Sequence, residues 1–222
     1  MPLPTESGRP VLTTNIVVFT LRDEQLKLLL IRRRNAPFEG CWSLPGGVVG
    51  TDEDVEANAM RKLEDSTGLS GIYLEQLYTF SAPERDPRER VISVAYYALV
   101  ASKRLQLRTD ADSEGVGWFS LNELPELAFD HAQMVDTAHQ RLAAKLDYST
   151  IAFQFMPELF TLSDLQNVFQ IILNRDLDKR NFRKRMRAME QIRQTSQVQK
   201  TGSHRPARLY RVNNPHEVRI IK

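Results

Sequence analysis

The chain has 222 residues, 41% of them hydrophobic and 26% charged, which excludes a wholly disordered polymer and leaves room for two small domains. Its apolar runs are too short to span a bilayer as a helix, and a single cysteine, Cys41, excludes an intramolecular disulfide or a multi-cysteine zinc site and fits a reducing cytoplasm. The net charge of +2 conceals an asymmetry: residues 1–150 carry 16 Lys+Arg against 22 Asp+Glu, net −6, whereas residues 151–222 carry 14 against 6, net +8. A basic third of this kind is suited to a polyanion.

Residues 1–11 lack a basic stretch followed by an apolar core, so they are not a signal peptide and are expected to be a tail outside the fold. Residues 15–21 and 26–32 read as two strands around the turn Arg22-Asp23-Glu24-Gln25. A glycine-rich loop, 41–50, precedes a helix over 52–67, with Thr51 or Asp52 as its cap and Gly68 at its C-terminal stop. Strands are expected over 73–81, 91–101 and 116–120, with a polar loop over 82–90, and Asp130 is placed to cap a helix running to about residue 146. Strands and helices in this order define an α/β layered domain over 12–150.

The pattern then changes. Apolar residues recur at helical spacing over 160–173, with Thr161 and Asp164 in a capping-box arrangement. After the break 174–177, Asp178 caps a second helix, expected over 179–193. Strands over 208–212 and 218–221 flank Asn213-Asn214-Pro215, so helix, turn, basic helix and hairpin over 151–222 give the order of a winged helix-turn-helix. Within the second helix Phe182, Met186 and Met189 form one apolar stripe, which turns Lys179, Arg180, Arg183, Lys184, Arg185 and Arg187 outward. Arginine reads guanine edges, Asn181 suits adenine, and the remaining charges suit phosphates, with His204, Arg205 and Arg208 where a wing meets the backbone.

Residues 47–69, GVVGTDEDVEANAMRKLEDSTGL, resemble the Nudix signature G-x5-E-x7-R-E-U-x-E-E-x-G-U, with Gly47, Glu53, Arg61, Leu63, Gly68 and Leu69 in register. Trp42-Ser43-Leu44-Pro45-Gly46-Gly47 is similar to the W-x-LPGG that precedes it. The resemblance implies a Nudix-type α/β/α sandwich with a mixed sheet, in which Glu53 and Arg61 brace loop against helix. It also implies three metal-holding glutamates, and here those positions are Lys62, Asp65 and Ser66. An ammonium where Mg²⁺ should sit removes several kcal/mol of barrier lowering, so no catalytic residue, metal or cofactor is expected. Arg85 and Arg88, in a stretch that resembles the D-P-R of ADP-ribose-type Nudix proteins, are expected to hold an effector, with Arg32, Arg34 and Trp42 as further cavity residues. His131 is assigned no chemistry.

The degenerate box together with DKRNFRKRM (residues 178–186) and TGSHRPARLYR (residues 201–211) resembles the Nudix-related transcriptional regulators. That family implies a homodimer on a palindromic operator of NAD-biosynthesis genes, with recognition helices about 34 Å apart, released by ADP-ribose or a related NAD metabolite and without contact with a membrane. Relatives of the same architecture regulate sugar catabolism. Two other readings compete: an ADP-ribose or nucleoside-diphosphate hydrolase tethered to nucleic acid, against which Lys62 and Ser66 argue, and an RNA-associated Nudix protein with a nonspecific basic clamp.

Overall fold

Seven consecutive buried residues in the first strand, β1 (Val11–Arg22), mark it as the centre of the sheet, because only a strand covered on both faces buries every side chain in turn. The computed structural model describes residues 9–68, 71–101, 113–199, 206–215 and 217–221. The other strands of this sheet are β2 (Gln25–Arg33), β3 (Trp42–Ser43), β4 (Gly46–Val48), β5 (Tyr73–Phe80), β6 (Val91–Val100) and β7 (Ser113–Ser120). Their order is β3-β2-β1-β6-β5, with β4 also pairing β1 and β7 also pairing β2. Only β1 and β6 run parallel, in register from Val11↔Val91 to Thr20↔Val100, so the sheet is mixed as expected.

Alternation along β1 sends Ile16 and Val18 to one face and Val17 and Phe19 to the other. The first face packs on α1 (Val55–Thr67) through Ala59 and Leu63. The second packs on α2 (His131–Lys145) through Met134, Val135, Ala138 and Leu142. Each fully buried Leu, Val or Phe contributes about 1.5–3 kcal/mol, so this two-sided burial is what fixes the α/β/α sandwich. The α1 cap is Asp54, whose carboxylate accepts the Ala57 N–H at 2.7 Å, rather than Thr51 or Asp52. Gly68 ends the helix at φ 69°, a left-handed conformation that favours glycine. Asp130 precedes α2 but makes no side-chain cap, because its carboxylate is used elsewhere.

The second core cluster face continues without a break beyond α2. It runs through Leu146, a 3₁₀ turn (Ile151–Phe155), α3 (Leu162–Leu173) and α4 (Lys179–Arg187). Thr161 and Asp164 form the full capping box, and Asp178 accepts the Asn181 N–H at 2.7 Å to start α4. Phe169 of α3 meets Phe182 of α4 edge to face at 5.2 Å, and His139 Nε2 lies 3.0 Å from the Ile172 carbonyl oxygen, joining α2 to α3.

Two expectations fail here. The α4 helix ends at Arg187, not residue 193, because Ile192 begins a strand, β8 (Ile192–Gln199), that pairs with β9 (Ala207–Val212) as the wing hairpin. Residues 218–221 are therefore not the wing partner of 208–212. They return to the α2 end, where Ile220 bridges Ser149 and the Ile221 N–H donates to the Tyr148 carbonyl at 2.8 Å. His204 and Arg205 lie outside the described residues.

Candidate ligand cavity and nucleic-acid interface

The cavity is an open cleft of about 470 Å³, within the range of small-molecule sites. Thr13 and Asn15 of β1, Ile31 and Arg33 of β2, and Gly46 and Gly47 of β4 form one side. Arg61 and Lys62 of α1, the loop residues Arg85, Asp86 and Arg88, and Phe129 and His131 at the start of α2 form the rest. Five of these side chains are cationic and one, Asp86, is acidic, so the cleft is suited to a phosphorylated ligand.

Strand alternation decides which of the expected arginines face it. Ile31 pairs with Ser43 and both line the cleft, whereas Arg32 pairs with Trp42 and neither does. Arg32 instead donates from Nε to the Gly40 carbonyl at 3.0 Å, and Trp42 packs against Phe119 at 4.5 Å. Arg34 is exposed and is not a lining residue. The expectation that Arg32, Arg34 and Trp42 line the cavity is corrected: Arg33 takes their place, its guanidinium 4.8 Å from the Phe129 ring.

Arg85 and Arg88 both line the cleft but are held differently. The Arg85 side chain is 4% exposed and makes a two-pronged ion pair with Asp130, Nη2 to Oδ1 at 2.7 Å and Nε to Oδ2 at 2.9 Å. Arg88 is 55% exposed and pairs with the buried Asp86 at 2.8 and 3.0 Å. The Arg88 hydrogen bond holds the Asp86 carboxyl below its ordinary range. Beside them His131 is buried, and its Nδ1 accepts the Leu44 N–H at 3.0 Å. Burial first, then the charges of Arg85 and Arg33, lower its pKa to about 3, so it is neutral. With Nδ1 accepting, the ring proton belongs on Nε2.

The Nudix loop is braced as the resemblance implies. Glu53 takes Arg61 Nη2 at 2.8 Å, Asn58 Nδ2 at 2.8 Å and the Gly50 N–H at 3.0 Å. These hydrogen bonds, Arg61 foremost, pull its carboxyl down to about 2. Asn58 then ties the helix to the strands, donating to the Val48 carbonyl and accepting from Thr14. Asn58, Thr14 and the Asn15–Ser93 pair were not singled out in the sequence, and a polar residue on the inward face of α1 was the signal available for Asn58.

Where the resemblance places metal-holding glutamates, Lys62 and Asp65 do not gather oxygens around one point. The Lys62 chain lies over Gly47, so close that a Cβ there would come within 2.6 Å of Lys62 Cε. Asp65 is turned toward Arg61 at 3.6 Å. Among the described residues no cluster of three or more His, Cys, Asp or Glu is placed to hold a metal. A hard cation needs gathered oxygens, and this face offers an ammonium instead.

On α4, Phe182 and Met186 are buried and Lys179, Arg180, Asn181, Lys184 and Arg187 are exposed along one open surface that also includes Arg183. Arg183 Nη2 donates to Ser163 at 3.2 Å, while its buried Nε has no partner among the described residues. Arg208 of β9 joins Ser163, Arg183 and Arg187 along the groove between the start of α3 and the wing, so helix and wing form one cationic surface. Arg185 is the exception among the basic residues, since it points back toward the end of α2.

A mixed-sheet sandwich carrying the Glu53–Arg61 brace, joined to a winged helix with a cationic recognition surface, defines a Nudix fold fused to a DNA-binding class of domain. The matched family models are the NUDIX domain, over residues 11–138, and the NrtR DNA-binding winged helix domain, over residues 152–212. A relative from Acinetobacter baylyi, described as an ADPR responsive transcriptional repressor, is 39% identical over 206 residues, covering 91% of this chain and 82% of its own. The crystal structure of Shewanella oneidensis NrtR complexed with a 27mer DNA is similar at a TM-score of 0.81 and 36% identity, over 92% of this chain and 94% of that one. The NUDIX domain of the same Shewanella oneidensis protein, crystallised with ADP ribose, is similar at 0.55 and 40% identity, over 60% and 89%. The chain belongs to the NrtR family.

No helix among the described residues is long and apolar enough to cross a membrane.

Proposed function

We propose that this chain is a transcriptional repressor, acting on NAD-biosynthesis genes, that ADP-ribose or a related NAD metabolite releases from DNA. Residues 12–150 sense the metabolite and dimerise, and residues 151–222 bind the operator. The observation that carries this reading is the pairing, in one chain, of a cation-lined cleft with Lys62 over the former metal face and a recognition helix whose cations point outward. A pyrophosphate suits the cleft because its lining is cationic, with Arg88 the most exposed of the ion-paired arginines there, while Lys62 opposes the divalent ion that hydrolysis would need. Ligand that is bound and not cleaved reports its own concentration. A homodimer reads a palindrome with two equivalent helices.

Selection of duplexes from a random pool, with and without ADP-ribose, tests this directly. A palindromic consensus that ADP-ribose displaces is expected, together with calorimetric binding of ADP-ribose and no appreciable turnover with Mg²⁺ or Mn²⁺. Absence of ADP-ribose binding refutes the ligand, and rapid metal-dependent turnover refutes the sensor.

A further inference from the structure

The α2 helix reaches from the cavity to the recognition helix. At its N-terminal end Asp130 grips Arg85 and His131 accepts the Leu44 N–H, so both residues at the entrance of the helix are fixed by cavity walls. Its 15 residues span about 22 Å at the α-helical rise. In the last turn Lys145 Nζ sits 2.5 and 2.6 Å from the two Glu75 oxygens, which anchors the helix to β5.

Immediately beyond, the Leu146 and Asp147 carbonyls each accept a hydrogen bond from Arg185 Nη2 at 3.0 Å. Arg185 also approaches the Asp147 carboxylate at 3.9 Å and the Phe169 ring at 5.9 Å. Its guanidinium is thus spent on the exit of α2, on the side of α4 away from the Lys179–Arg187 surface. Carbonyls at a helix end carry negative partial charge, so a cation that donates from one nitrogen to two of them is a favourable tie.

We propose that Arg185 is a positioning residue rather than a DNA contact: it ties the recognition helix to the helix whose opposite end walls the cavity, and through that tie cavity occupancy alters DNA affinity. This rests on the effector reading above. A displacement of His131 or Asp130 by ligand tilts α2, and Arg185 carries that tilt directly from the end of α2 to α4.

The test uses the full chain and R185K, which keeps the charge but ends one bond short of the Nη2 position that reaches both carbonyls, with R185Q as a second variant. A duplex selected by the native chain is titrated across salt concentrations with and without ADP-ribose, and amide hydrogen exchange of α4 is followed without ligand. In R185K, ADP-ribose affinity is expected within twofold of native. The factor by which ADP-ribose weakens DNA binding is expected to fall below twofold, the salt slope to stay native, and α4 to exchange faster. A retained coupling factor overturns the proposal, as does a salt slope lower by about one in R185Q, the signature of a lost phosphate contact. A native chain whose DNA affinity ignores ADP-ribose sinks the effector reading instead. The tie is then judged on exchange, where native-like protection of α4 in R185K overturns it and faster exchange supports it.

Discussion

The cleft and the recognition helix use the same residue types in opposite ways. In the cleft three of the four arginines are held by carboxylates: Arg85 by Asp130, Arg88 by Asp86 and Arg61 by Glu53. On α4, Lys179, Arg180, Lys184 and Arg187 have no carboxylate partner among the described residues. A cation already held by a carboxylate has a fixed direction and loses little further freedom when a ligand arrives. An unanswered cation surrounded by counterions gains chiefly by releasing them to a polyanion. The first arrangement suits selection of one small molecule, and the second suits a long charged backbone.

The largest effect should come from breaking the buried pair. Arg85→Ala leaves the Asp130 carboxylate, 16% exposed, without its partner, and the loss of one member of such a pair costs about 3–5 kcal/mol. Arg88→Ala also removes a partner from a buried carboxylate, but Asp86 keeps the residue 88 backbone N–H at 3.1 Å and the lost side chain is 55% exposed, so the cost should be smaller while ADP-ribose binding is blunted. Urea unfolding of both variants checks the contrast. Equal stabilities would mean that the two arginines do the same work, and that burial does not separate them.

That contrast was only half legible in the sequence. The stretch Glu84-Arg85-Asp86-Pro87-Arg88 advertised two arginines, but nothing in it distinguished a structural brace from an exposed ligand contact, because Asp130 is distant in the chain. For the same reason the cavity arginine of β2 was misplaced: Arg32, Arg33 and Arg34 are adjacent, and only the strand register puts Arg33 inward. Elements that bury a face were readable, as Thr161, Asp164 and the Phe182–Met186 stripe show. Strand β8 was not, since RQTSQVQ after Ile192 is polar but for the exposed Val198 and buries almost nothing, so it carries no period-two signal. The helical reading therefore runs past the end of α4 to residue 193, into the first residues of β8. The Glu53–Arg61 brace was legible because both of its members belong to one contiguous motif.

The cations on α4 should show the next effect. Lys179→Ala and Arg183→Ala are each expected to weaken DNA binding by about 1–3 kcal/mol where a base contact is lost. Where only a phosphate contact is lost, the salt slope should fall by about one and sequence preference should persist. Neither change should disturb the fold, because Phe182 and Met186 supply the buried face of the helix. Fluorescence anisotropy across salt concentrations, with circular dichroism as the control, decides between the two contacts. Unchanged affinity in both variants would remove this face of α4 from the interface and with it the contrast drawn above.

The smallest effect concerns pH and separates the regions once more, since the cleft contains a buried titratable group. His131 has a pKa of about 3 in the folded chain, lowered by burial and by Arg85 and Arg33, against about 6.5 when unfolded. Between those values the unfolded chain binds a proton that the folded chain refuses. Stability therefore rises with pH across this window and is lost as pH falls below 6.5, by about 1 kcal/mol between pH 7 and 5.5. Glu53, held down to about 2, works in the same direction only at lower pH, below its unfolded value, so it does not interfere above pH 5. His131→Asn keeps an acceptor near Nδ1 for the Leu44 N–H but has nothing to titrate. Its melting temperature is expected to lie closest to, or above, the native value at pH 5.5 and to fall behind at pH 7, because acid penalises only the histidine form. Parallel melting profiles from pH 7 to 5.5 would show that His131 is protonated in the folded chain, which would place a sixth cation in the cleft and raise its appeal to a pyrophosphate under acid conditions.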